Sequence, residues 1–179
     1  MSGMTIVAIV LVFCMLVGPI LMLKPSVRQR QLAQLRAKAP ALGLKVQTGL
    51  LLKKPYTAYV RPWPTGTNRR FKGPAWVLAR RDYEHDIHLA HWWDTVEGER
   101  PAGDVASGLT PRLQQLPKSA VGCSASAQGV ALYWLEQGGE AELQRLAEWL
   151  DGAVNELWPH LSETPPQTPA TPDHERANG

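Results

Sequence analysis

The stretch that decides the fold is residues 120–161, AVGCSASAQGVALYWLEQGGEAELQRLAEWLDGAVNELWPHL. Ala120–Ser126 and Val130–Glu136 read as two strands of a hairpin around Ala127-Gln128-Gly129. In the second strand both alternating sets, Val130/Leu132/Trp134 and Ala131/Tyr133/Leu135, are apolar. A strand apolar on both sides belongs at the centre of a sheet covered on both faces. Gly138-Gly139 ends the sheet. From Glu140 to Leu161 the period changes: Leu143, Leu146, Ala147, Leu150, Val154, Leu157 and Leu161 recur at steps of three and four, the signature of a long amphipathic helix. Glu140 and Glu142 sit at its positive N-terminal end. Leu146, Leu150, Val154 and Leu157 form the predicted buried stripe, widened by Trp149 and Trp158.

Upstream, Leu44–Leu52, Tyr56–Arg61 and Ala75–Arg80 have strand composition and are separated by Pro/Gly breaks. Arg61-Pro62-Trp63-Pro64-Thr65-Gly66 reads as a loop. His88–Val96 is expected to be a strand, Glu97–Leu109 a polar loop, and Thr110-Pro111 the start of a short helical turn to Leu116. Downstream of Leu161, the segment Thr164–Pro172 holds four prolines in nine residues, so 162–179 is expected to be a disordered or polyproline-II tail. The body, 43–161, is therefore α+β: an antiparallel sheet closed by one long C-terminal helix. The pleckstrin-homology-like superfold shares that layout, and layout alone does not assign function.

The chain has 179 residues, 44% hydrophobic and 20% charged, which excludes a polytopic membrane protein and a fully disordered chain. Two cysteines, Cys14 and Cys123, exclude a disulfide scaffold. Thr5–Leu23 is nineteen residues without a charge, about 28 Å as a helix, close to the hydrocarbon thickness of a bilayer. Met1–Met4 carry no basic side chain, and Leu21-Met22-Leu23-Lys24-Pro25 offers no small-residue cleavage site. The segment therefore reads as a retained anchor rather than a signal peptide. Lys24, Arg28, Arg30, Arg36 and Lys38 follow it, so the positive-inside rule puts residues 1–4 outside and the body in the cytoplasm. Residues 24–42 read as a basic juxtamembrane segment, helical over Ser26–Ala39, with Ser26 as cap and Pro40 as stop.

The stretch Leu21–Arg30, LMLKPSVRQR, resembles the membrane exit of the YajC subunit family of the bacterial Sec translocase. That resemblance implies a short outer N-terminus, one span and a cytoplasmic body in an accessory subunit. Only Gly43 and Gly49 stand where that family has its compact Gly-rich β segment. The tryptophan-rich body also resembles uncharacterised single-span inner-membrane proteins of proteobacteria. Neither resemblance implies catalytic residues.

Two features carry side chains of reactive or ligand type. His85, His88 and His91, with Asp82, Glu84, Asp86 and Asp94 nearby, are of ligand type. On a helix, however, 85 and 91 diverge, and on a strand 88 points away. A polar surface segment with a partly buried histidine is the expectation, with no metal and no cofactor. Cys123 lies in Val-Gly-Cys-Ser-Ala-Ser without a local base, as a small buried strand residue does. No phosphate loop, dinucleotide fingerprint, zincin helix or nucleophile elbow occurs, so catalysis is not expected; a hydrolase or metal enzyme of unfamiliar fold is the alternative.

Charge is the sharpest feature. Residues 1–81 hold fourteen Lys/Arg and no Asp or Glu, whereas residues 82–179 hold five Lys/Arg and sixteen Asp/Glu. Arg28, Arg30, Arg36 and Lys38, and a second cluster of Arg69, Arg70 and Lys72 with Lys53-Lys54 upstream, are expected to contact anionic phospholipid. The acidic half, with Glu97, Glu99, Asp104, Glu136, Glu140 and Glu142, is expected to face outward to a basic protein partner in a membrane complex and to repel nucleic acid. The opposing expectation is that the two halves meet inside the fold. An adaptor or accessory subunit and a lipid-surface sensor are the two leading functional classes. Of the seven tryptophans, most are expected in the core and one or two at an interface.

Overall fold

The computed structural model describes residues 3–4, 6–7, 10–13, 15 and 26–164. Most of the Thr5–Leu23 anchor, Cys14, Lys24 and the tail from 165 onward lie outside the described residues. Among the described residues no helix is long and apolar enough to cross a membrane. The chain divides into two units, Met1–Lys38 and Ala39–Gly179.

In the first unit, helix α1 spans Val27–Lys38. Its start is a reciprocal capping box. The Gln29 N–H donates to Ser26 Oγ (3.2 Å), and the Ser26 N–H donates to Gln29 Oε1 (2.9 Å). Arg28, Arg30, Arg36 and Lys38 are exposed along it.

The second unit opens with a 3₁₀ turn, Ala39–Leu42, whose Ala39 carbonyl accepts the Leu44 N–H at 3.1 Å. The domain thus begins a few residues before Gly43. Among the described residues eight strands follow: β1 Lys45–Leu51, β2 Lys54–Arg61, β3 Arg70–Phe71, β4 Trp76–Arg80, β5 Trp93–Gly98, β6 Ala120–Ser126, β7 Gly129–Trp134 and β8 Ser162–Glu163. Helix α2 spans Gly103–Gln114 and helix α3 spans Gly139–Leu161. Six strands form one antiparallel sheet in the order β1-β2-β7-β6-β4-β5. β3 and β8 form a separate two-stranded piece.

β7 is interior to the sheet and buried over its whole length, as its doubly apolar pattern predicts. Alternation sorts its side chains. Val130, Leu132 and Trp134 share a face with Tyr59, whose ring meets Trp134 edge-on at 5.5 Å. α3 packs on β2 and β7, with Leu143, Leu146, Leu150, Val154 and Leu157 buried. The opposite face holds a second apolar cluster of Leu51, Ala58, Ala79 and Tyr133. The sheet coils strongly there. A Cβ at Gly122 on β6 would lie 2.7 Å from Leu51 Cδ2 of edge strand β1, and one at Gly49 would lie 2.5 Å from Tyr133 Cε1. Glycine at both places lets the tyrosine ring lie across the sheet.

Four expectations are corrected. Glu97–Leu109 is not a loop: Gly103–Gln114 is a helix that runs through Pro111. Proline marks a helix start by statistics, but burial of Leu109 and Leu113 outweighs the one backbone bond that Pro111 forgoes. His88–Val96 is not one strand. Ala90 and His91 take left-handed backbone (φ 49° and 66°), and a Leu89–Trp93 bridge turns the chain so that β5 starts only at Trp93. The body does not end at Leu161, because Ser162 and Glu163 form β8 against Phe71 and Arg70. Glu142 does not face outward: it is 8% exposed and pairs with Arg145 at 2.5 Å.

Candidate functional site: an aromatic groove with a basic rim

The groove is built around Trp63. Pro62 and Pro64 flank it and restrict the backbone on both sides, so the ring is set by a stiff loop. Its indole N–H donates to the Ser126 carbonyl at 2.8 Å, tying the loop to the β6–β7 turn. Phe71 stacks on Trp63 (centroids 5.7 Å, planes 18° apart), and so does Trp158 (5.1 Å, 28°). Phe71 is held by the β3–β8 pairing and by Leu161, whose carbonyl accepts the N–H groups of Lys72 and Gly73 at 2.9 and 3.1 Å. Trp158 comes from the last turns of α3; it is largely buried, and its own indole N–H has no acceptor among the described residues.

Beside this stack is a cavity of about 780 Å³ whose rim carries Lys45, Arg69 and Arg70, with no Asp or Glu in its lining among the described residues. It continues onto the coiled face of the sheet through Gln47, Val60 and Gln128, into a second cavity of about 310 Å³ beside Ser124 and Tyr133. On the other side of the Trp63 loop a third cavity, about 590 Å³, reaches Asp151 and Asn155 of α3.

The expected meeting of the two charged halves is observed. Arg61 pairs with Asp151 at 2.5 Å, Arg81 with Asp94 at 2.6 Å, and Lys72 with Glu163. The hydrogen bond to Asp94 raises the Arg81 pKa, and burial lowers that of Arg80, whose guanidinium donates to the carbonyls of Leu116 and Pro117 at 3.2 and 3.1 Å. These cations are structural. Lys45, Arg69 and Arg70 have no carboxylate partner among the described residues, and Arg69 reaches only the Pro159 carbonyl at 3.5 Å. The fold thus neutralises part of the basic half and leaves these three cations at the groove.

Of the residues singled out in the sequence, Arg69 and Arg70 are brought to the groove, Lys72 is taken up by Glu163, and Arg28, Arg30, Arg36 and Lys38 belong to the first unit. His85, His88 and His91 lie in the loop before β5. The buried His88 ring lies beside Tyr83 (5.3 Å) and His85 (5.7 Å), and its Nδ1 has no partner among the described residues. His91 Nδ1 sits 4.0 Å from Glu84 and 3.9 Å from Asp86. Among the described residues no group of three or more His, Cys, Asp and Glu is arranged to hold a metal ion. Cys123 is fully buried on β6, and burial pushes its thiol far above the ordinary value of 9.0, which disfavours the nucleophilic thiolate. Sequence reasoning did not find Lys45, Trp63, Phe71 or Trp158 as a site. The available signal was a tryptophan between two prolines, placed just before a basic run.

An aromatic stack beside Lys45, Arg69 and Arg70, in a cavity lined by no Asp or Glu among the described residues, can hold a group that is anionic and partly flat or apolar. That chemistry is the class the site defines. Comparison with known proteins adds no relative: no family model, no curated protein and no solved structure matches the chain.

Proposed function

We propose that this chain is a single-pass accessory or adaptor protein of the bacterial inner membrane, held by Thr5–Leu23 with its N-terminus periplasmic. Its cytoplasmic α+β domain, of pleckstrin-homology-like layout, receives an acidic segment of a protein partner in the Trp63 groove. The observation that carries the reading is the Phe71–Trp63–Trp158 stack beside a rim of Lys45, Arg69 and Arg70 that the ion-pairing of the fold leaves free. The charge-free segment and the basic residues after it support the placement. No reacting group is required: the site binds through stacking, apolar contact and charge.

The test is purification of the native chain and of its Arg69→Glu/Arg70→Glu variant in mild detergent, with mass spectrometry of what co-elutes. A partner recovered with the native chain and lost with the variant, at equal expression and thermal stability, supports the groove. Equal recovery overturns it. A reporter fused at Gly179 tests the placement: periplasmic alkaline phosphatase activity contradicts a cytoplasmic domain.

A further inference from the structure

The turn joining β1 to β2 breaks the usual chemistry of a tight hairpin. Leu51 pairs with Lys54, so the turn has two residues, Leu52 and Lys53, and both have positive φ (51° and 64°). Such turns are ordinarily filled by Asn-Gly or Asp-Gly, because side chains with a bulky Cβ substituent disfavour that backbone. Here the strained positions carry a leucine and a lysine. The residues around them are sorted sharply: Leu50 is 67% exposed and Leu52 50%, whereas Leu51 between them is 3% exposed and sits in the cluster with Ala58, Ala79 and Tyr133. One leucine thus fastens the tip to the sheet while two stand in solvent. Lys53 and Lys54 are exposed beside them, and neither has a carboxylate partner among the described residues.

We propose that this tip is a bilayer contact, in which Leu50 and Leu52 enter the boundary between head groups and acyl chains of an anionic membrane while Lys53 and Lys54 meet the phosphates. Charge selects this occupant. The tip combines two exposed aliphatic side chains with two unpaired ammonium groups, and the chain has no Asp or Glu anywhere before Asp82. That pairing of apolar and cationic groups suits the anionic interface, where lysine stems lie along the apolar zone and their heads remain at the phosphates. A protein groove would need carboxylates placed beside an apolar slot; a bilayer presents both over its whole surface. The reading is independent of what fills the Trp63 groove. It moves the main lipid contact of the domain from Arg69, Arg70 and Lys72 to residues 50–54, since Lys72 is paired and the two arginines border the groove.

The test uses the full chain in a Cys14→Ser background, with Cys123 buried and unreactive. An environment-sensitive fluorophore is attached at Leu52→Cys or, as reference, at Glu148→Cys on the exposed side of α3. Each protein is reconstituted in vesicles of phosphatidylcholine alone or with phosphatidylglycerol, with or without lipid carrying a shallow spin-label quencher. The expected result is a blue shift and lipid quenching of the Leu52 site in anionic vesicles, little at the Glu148 site, and reduction to that reference level by Lys53→Glu/Lys54→Glu. Absence of quenching at Leu52 in anionic vesicles overturns the proposal, as does equal quenching at both sites. A blue shift of the Leu52 site in anionic vesicles without lipid quenching also overturns it, because protein rather than lipid then covers the tip. Groove and tip fail separately: Phe71→Ala is expected to lower partner recovery and to leave the tip's quenching intact.

Discussion

Leu150→Ala tests the packing on which the groove depends. Leu150 lies on α3, which carries Trp158 to the stack, and is fully buried. The substitution removes three methyl or methylene groups, about 0.8 kcal/mol each in transfer energy, so about 2.4 kcal/mol before any cavity. Neighbours such as Leu146, Ala147, Val154 and Leu157 are themselves buried on the same helix, and close-packed surroundings collapse poorly into a gap. The cavity contribution then brings the expected loss to about 3–5 kcal/mol. Against a total stability of about 5–15 kcal/mol, such a loss is large. In urea, with a slope of about 2 kcal/mol per molar, the midpoint should fall by roughly 1.5–2.5 M, followed by tryptophan emission in mild detergent. Glu148→Ala, on the exposed side of the same helix, should stay within about 0.5 kcal/mol. A Leu150→Ala loss below about 0.5 kcal/mol, or one equal to that of Glu148→Ala, would refute the claim that α3 is buried along this stripe.

Three further outcomes follow from particular contacts. Cys123 should resist thiol reagents in the folded chain and react once it is unfolded. Because burial raises the folded pKa, only the unfolded thiol ionises as pH passes about 9, so this group should lower stability progressively above that pH and leave it unchanged below, as pH-dependent urea melts can show. Gly129→Ala should cost about 1–3 kcal/mol by the same melts, since Gly129 has φ 139° and a Cβ there would lie 2.0 Å from the Arg61 carbonyl oxygen; a neutral result would mean that β2 does not approach the β6–β7 turn. Truncation after Thr164 should leave the melting temperature unchanged, whereas truncation after Leu161 removes β8 and the Glu163 partner of Lys72 and should lower it by about 2–4 °C for each kcal/mol lost; equal melting temperatures would show that β8 is dispensable.

Local order was legible from local pattern. The 3.6-residue period placed α3, with the stripe Leu146, Leu150, Val154 and Leu157 buried as its spacing requires. The doubly apolar β7 announced an interior strand, and Ser26 announced the cap of α1. Each of these depends on residues within a few positions of one another, so the sequence alone determined them. Tertiary structure decided the rest, because the deciding forces act between residues far apart in the chain. α2 runs through Pro111 because Leu109 and Leu113 gain burial, an energy that proline statistics do not contain. Glu142 turns inward beside Arg145, although composition alone would leave it in solvent. The charge split was visible in the sequence, but which cations are consumed was not: Arg61, Lys72 and Arg81 find acidic partners only after folding, and Lys45, Arg69 and Arg70 are left beside the groove. The groove itself needs a loop, a two-residue strand and the end of a helix to bring Trp63, Phe71 and Trp158 into one stack. Sequence periodicity reports which face of an element is apolar; only the packing of elements reports which side chains of different faces meet.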